Sequence, residues 1–186
     1  MPNYILQRSI LFIALIMMLG ACATSTFSND PVQLETEAQA TLAKFTEDNP
    51  ESAALAEEAL GILVFPSIAK GGFIYGGQYG RGAMFVDDTP TEYYSSSAAS
   101  YGFQAGGQRF SYIMYIMDQD ALDYVNNTEG FEVGVGPSIT LFNAGVARSL
   151  TTSTLRDDIY VCIFDAQGLM AGSGLQGTKI TRLDLD

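Results

Sequence analysis

Apolar positions along the chain first follow a helical rhythm. Leu34, Ala38, Leu42 and Phe45 stand at steps of four, four and three, one stripe of a helix, and acidic residues fill the other face. A second helix is predicted over "NPESAALAEEALG". Asn49 is its candidate cap, Pro50 suits its first turn, Glu51 favours its N-terminal dipole and Gly61 closes it. After Gly61 the period becomes that of strands. "ILVFP" reads as a short buried run ending at Pro66. From Lys70 alternation takes over: Gly72, Ile74, Gly76, Gln78, Gly80 and Gly82 share one face, Phe73, Tyr75, Gly77, Tyr79 and Arg81 the other. "YGFQAGGQRFSYIMYIMD" repeats the pattern, including the triplet Gly-Gly-Gln. "DQDALDYVNN" is a short helix with Asp118 as its cap, and "FEVGVGPSITLFNAGVA" alternates again. The stretch from Asp157 to Asp184 is expected to form a hairpin turning near Ala166-Gln167-Gly168. The fold class is therefore α+β: N-terminal helices packed on a strongly curved, mainly antiparallel, Gly- and aromatic-rich β-sheet or barrel-like sandwich.

"KGGFIYGGQYGRG" places six glycines in thirteen residues and invites a phosphate-loop reading. No Gly-Lys pair of the Walker type exists, and the glycines at 77, 80 and 82 precede a strand-like "AMFV" rather than a helix. A steric reading fits better. Gly71, Gly72, Gly76, Gly77, Gly80 and Gly82 act as structural glycines that let the sheet curve or let another group pack flat on it, with the aromatic face as core or lining. An outer-membrane barrel is disfavoured, because helices occupy much of the chain's first part and "YVCIF" is apolar on both faces.

A different apolar run, Ile10 to Leu19, follows a weakly basic start at Arg8 and ends in Leu19-Gly20-Ala21-Cys22. This resembles a bacterial lipobox, in which the cysteine is acylated and becomes the first residue. The expected organisation is a signal peptide over 1–21, a lipidated N-terminus and linker over 22–30, and one domain over 31–186. Lipoprotein sorting usually reads an aspartate after the cysteine as a retention signal for the inner membrane, so Ala23 points to the outer membrane, periplasmic face. Cys162 would then be the only thiol left, and "IYVCIF" makes it a buried core residue.

Charge and composition narrow the function. The 186 residues carry 9 basic and 21 acidic side chains, a formal net charge of −12, without a basic cluster to meet nucleic acid. Histidine is absent, which removes the commonest general base and zinc ligand. Asp87-Asp88 and Asp157-Asp158 read as turn or capping charge, and Asp118, Asp120 and Asp123 lack the rest of a calcium loop. No Gly-x-Ser-x-Gly elbow occurs. These features point away from an enzyme, with no cofactor and no metal expected.

Taken in order, "ALGILVFPSIAKGGFIYGGQYGRGAM", "ASYGFQAGGQRFSYIMYIMDQDAL", "FEVGVGPSIT" and "IYVCIFDAQGLMAGSGLQGTKI" resemble the SYLF domain, over roughly residues 35 to 183. That family includes bacterial lipoproteins and a eukaryotic phosphoinositide-binding module. The resemblance implies non-catalytic lipid binding, with membrane lipids as partners and a phospholipid as ligand. Eukaryotic members are held to use a basic amphipathic first helix, whereas this one has Lys44 alone against Glu35, Glu37, Glu47 and Asp48. Tyr93 or Tyr94 stands where a tryptophan is common. Actin bundling, ascribed to the yeast branch, has no counterpart in a periplasm. The cations nearest the glycine stretches, Lys70, Arg81 and Arg109, are the candidate head-group ligands. The competing reading is a structural or protein-interaction lipoprotein that uses the Tyr- and Gly-rich sheet as a docking surface.

Overall fold

The computed structural model describes residues 30–132, 139–142, 157–170 and 177–185. Helix α1 (Pro31–Asp48) starts where Asp30 accepts a hydrogen bond from the Val32 N–H at 3.0 Å, with Pro31 in the first turn. Its stripe buries Leu34, Ala38 and Phe45. Asn49 finishes α1 rather than capping the next helix: its backbone and side-chain N–H groups both donate to the Phe45 carbonyl at 3.0 Å. A 3-10 turn (Pro50–Ser52) and the short helix α2 (Ala53–Glu58) follow.

Strands β1 (Gly61–Val86) and β2 (Thr89–Ile116) then form one very long hairpin, paired from Gly61↔Ile116 to Val86↔Thr89. Its turn is Asp87-Asp88, with φ of 48° and 59°. Two consecutive left-handed residues are what a two-residue type I′ turn demands, and Asp tolerates that region better than most side chains. Helix α3 (Gln119–Asn127) is capped as expected, Asp118 accepting from Asp120 N–H and Ala121 N–H. Strands β3 (Gly130–Glu132), β4 (Ile139–Phe142), β5 (Ile159–Met170) and β6 (Lys179–Leu183) complete the described elements.

The far edge of β2 is shared. Its first part, Tyr93–Ser97, pairs with β6, and its last part, Gly106–Ile116, pairs with β5. β3 lies outside β6, and β4 joins β5 in parallel, whereas the other strand pairs among the described residues are antiparallel. A straight strand of β1's length would extend about 85 Å. Instead β1 doubles back, with its register shift at Phe73/Tyr75 inside the bend. A Cβ built on Gly82 would lie 2.5 Å from the Val64 carbonyl oxygen, and one on Gly80 2.5 Å from that of Ser67. Gly61 correspondingly faces Met84 and Phe85. The two arms of β1 thus run alongside each other in opposite directions, and the sheet is curled without closing.

The curl gives the sheet two buried faces. One core joins Phe65, Met84, Tyr94, Tyr112, Met114 and Val161 to Leu122 and Val125 of α3. The other joins Val64, Phe85, Ile113, Tyr115, Tyr160 and Cys162 to Ala38 and Phe45 of α1. Adjacent β5 residues therefore serve opposite cores, which is why "YVCIF" is apolar throughout.

Three further sequence expectations are corrected. Pro66 does not end a strand; it sits in a bulge, and its carbonyl, released from the ladder, accepts from the Ser111 hydroxyl at 2.7 Å. Gln167-Gly168 is not a hairpin turn. Both residues pair with β2, opposite Arg109 and Gln108, just past the β5 bulge at Asp165-Ala166; Gly168 has φ 102° and its missing Cβ would fall 2.3 Å from the Gly107 carbonyl oxygen. The aromatic face of the glycine stretch is not core either: Tyr75 is 73% exposed, while Gln78, Gly80, Gly82 and Met84 on the opposite face are buried.

Burial predicts an alkaline limit to stability. It pushes the Cys162 thiol up to about 12. It does the same to Tyr94, with Glu92 adding to the effect, and the Glu35 hydrogen bond raises Tyr93 to about 12. All three fold in the protonated form. Stability is therefore intact below the unfolded values near 9 to 10 and falls as pH rises through that range toward 12. The melting temperature should be flat from pH 7 to 8.5 and drop steadily above pH 9.5. A flat profile to pH 11 contradicts the assignment.

Candidate functional site in the groove beneath the first helix

Two bulges converge at one place. Pro66-Ser67 of β1 bulge opposite Ser111 of β2, and Asp165-Ala166 of β5 bulge opposite the neighbouring Phe110 of β2. Bulges re-aim side chains and are over-represented beside functional sites. Here they open a groove of about 300 Å³. Helix α1 supplies one wall through Ala40, Thr41 and Lys44. Pro66 and Phe110 give an apolar floor, and Arg109, Ser111, Asp165 and Gln167 give polar rims.

The charges are arranged in a chain. The Lys44 Nζ lies 3.0 Å from Asp48 Oδ2 and 3.3 Å from Asp165 Oδ2. The hydrogen bond to Asp48, then that to Asp165, raises the Lys44 pKa. The first pair is an i,i+4 helix pair; the second ties α1 to the β5 bulge across 121 positions of sequence. Both are exposed and weak individually. Asp165 holds a left-handed backbone, φ 51°, which the bulge imposes. Arg109 is exposed and also lines the groove. Two cations, Lys44 and Arg109, and one carboxylate, Asp165, thus line a small hollow, and Asp48 reaches it only through Lys44. A wider hollow of about 870 Å³ lies by β3 and β6, but its Arg182 is already bound to Glu92 and to the Asn126 carbonyl.

The three cations singled out from the sequence do not meet. Arg109 borders the groove. Lys70 pairs with Gln108, whereas Arg109 pairs with Ala69, so Lys70 and Arg109 leave opposite faces of the sheet. Arg81 pairs with Ser95 on the other arm, and its Nε donates to the Tyr79 hydroxyl at 3.1 Å. Of the glycines, Gly80 and Gly82 stand at the close approach of the arms, and Gly72 abuts Gly76. Gly71 and Gly77 meet only ordinary contacts. Cys22 lies outside the described residues. The sequence reading missed Asp165 and Gln167, because only the bulge brings them to α1. The i,i+4 spacing of Lys44 and Asp48 was visible.

A family model described as Las17-binding protein actin regulator, Ysc84, matches residues 97–184. This stretch, just under half of the chain, is consistent with a SYLF-domain family. The matched stretch takes in the second arm of β2, α3 and all later strands, and so contains Arg109, Asp165 and Gln167. Strand β1 and helix α1 precede it, although β1 is the whole-length partner of β2. The SYLF family is one of lipid-binding or actin-regulator-like proteins and is generally non-enzymatic. No curated protein matches the chain.

Proposed function

We propose that the protein is a non-catalytic lipid-binding lipoprotein, anchored to the outer membrane through acylated Cys22 and facing the periplasm. The SYLF domain over residues 97–184 is the observation that carries the lipid-binding part. The groove beneath α1 supports it with cations at the rim and an apolar floor. Leu19-Gly20-Ala21-Cys22 supports the anchor. No helix among the described residues is long and apolar enough to cross a membrane.

A second reading, a protein-binding surface, rests on the exposed Tyr75 at the bend of β1. Native mass spectrometry of residues 29–186 separates the two. Co-purified phospholipid supports the first. A lipid-free chain that captures a stoichiometric envelope protein supports the second and overturns the first. The anchor has its own test. Wild type should incorporate radiolabelled palmitate and Cys22→Ser none; equal label on both removes the lipoprotein assignment.

A further inference from the structure

The groove beneath α1 is lined by charges of both signs. Lys44 and Arg109 share it with Asp165, which the β5 bulge brings to α1, and Lys44 is also paired with Asp48 on its own helix. A site for an anionic head group would surround one hollow with cations alone. This hollow is lined by a guanidinium and by a carboxylate whose partner Lys44 is shared with Asp48. The whole chain adds a net charge of −12, which repels anionic lipid at long range.

We propose that the groove binds a zwitterionic phospholipid head group of the phosphate-and-ammonium type, an inference that rests on the lipid-binding reading above. The Arg109 guanidinium accepts the phosphodiester, its fork matching two phosphate oxygens. Asp165, assisted by Asp48, accepts the ammonium, which replaces Lys44 as the cation between them. Thr41 and Gln167 stand on the rim as further polar contacts, and Phe110 and Pro66 underlie the ethylene carbons. A volume of about 300 Å³ is at the small end of ligand sites and suits a head group, leaving the acyl chains outside.

The test uses the full chain in neutral detergent with equimolar phosphatidylethanolamine and phosphatidylglycerol, the adduct ratio being read by native mass spectrometry. Wild type should prefer phosphatidylethanolamine by about three- to fivefold, the scale of half-exposed ion pairs. Asp165→Asn keeps the left-handed backbone, which Asn also tolerates, and should bring the ratio close to one. Arg109→Ala should reduce both adducts. Glycerophosphoethanolamine should compete, whereas inorganic phosphate at the same concentration should not; competition by phosphate alone would show a simple anion site and overturn the assignment. Preference for phosphatidylglycerol, or a ratio unmoved by Asp165→Asn, overturns it too while leaving lipid binding in place. Adducts with neither lipid remove both readings.

Discussion

Valine in place of Gly82 should lower the melting temperature by about 6–12 °C, one of the largest losses expected from a single substitution here. The reason lies in the doubled-back hairpin. A Cβ at that position would fall 2.5 Å from the Val64 carbonyl oxygen and 2.8 Å from Cδ1 of Phe65. A flexible side chain could swing away, but a ladder carbonyl cannot, and the Phe65 ring is fully buried and packed at 4.4 Å against Tyr112. Overpacking costs about 1–3 kcal/mol, and backbone involvement places this case at the upper end. In a domain of this size each kcal/mol is worth about 2–4 °C. Gly77→Val is the control. Gly77 is exposed, and its nearest contact for a Cβ is 3.7 Å away, so β-branching there should be neutral or mildly favourable. Equal effects at the two positions would show that glycine is needed for the strand conformation and that the arms of β1 do not press together.

That contrast also marks how far the sequence could be read. Period alone located α1 and its buried Leu34, Ala38 and Phe45, the Asp118 cap of α3, and Cys162 in a strand buried on both faces. Alternation showed that residues 70–82 are a strand and not a phosphate loop. It could not say which face was inside. Aromatic side chains carry more apolar area than glycine, so the odd face looked like core. What decided otherwise was the return of the same strand, a contact between positions such as Gly82 and Val64 that leaves no local trace. Pro66 and the stretch Ala166-Gln167-Gly168 misled for a related reason. Pro66 and Ala166 do lie in breaks of the ladder, but paired partners on either side carry the strand through them as bulges. Those same bulges build the groove, so the features hardest to read in the sequence are the ones that place Asp165 beside Lys44. Arg109 was found because it is a cation next to a glycine stretch. Lys44, Asp165 and Gln167 were not placed beside it, since they come from elements more than fifty residues away on either side.

Phe45→Ala should test whether α1 is a fixed wall of that groove. The Phe45 side chain is 1% exposed, and its ring lies 4.5 Å from that of Phe164 on β5. It is the largest anchor of α1 in the second core, which otherwise receives only Ala38 and the partly buried Leu42 from this helix. Truncating a buried Phe to Ala removes its transfer energy and leaves a cavity, at about 3–5 kcal/mol. That is a large share of the roughly 5–15 kcal/mol that holds a domain together. The loss should be concentrated in α1, since α1 makes its packing contacts mainly with β1 and is not part of the sheet ladder. Hydrogen exchange over residues 31–48 should therefore rise far more than over residues 106–116, where β2 is paired on both sides. Lys44 stands one residue before Phe45, so loosening the helix also separates Lys44 from Asp165 and opens the groove. Lipid adducts should fall together with the protection of α1. Val32→Ala, at a position 66% exposed on the same helix, should change neither. If Phe45→Ala instead raised exchange uniformly across helix and sheet, α1 would be part of one cooperative unit with β1 and β2, and the groove would open only on global unfolding.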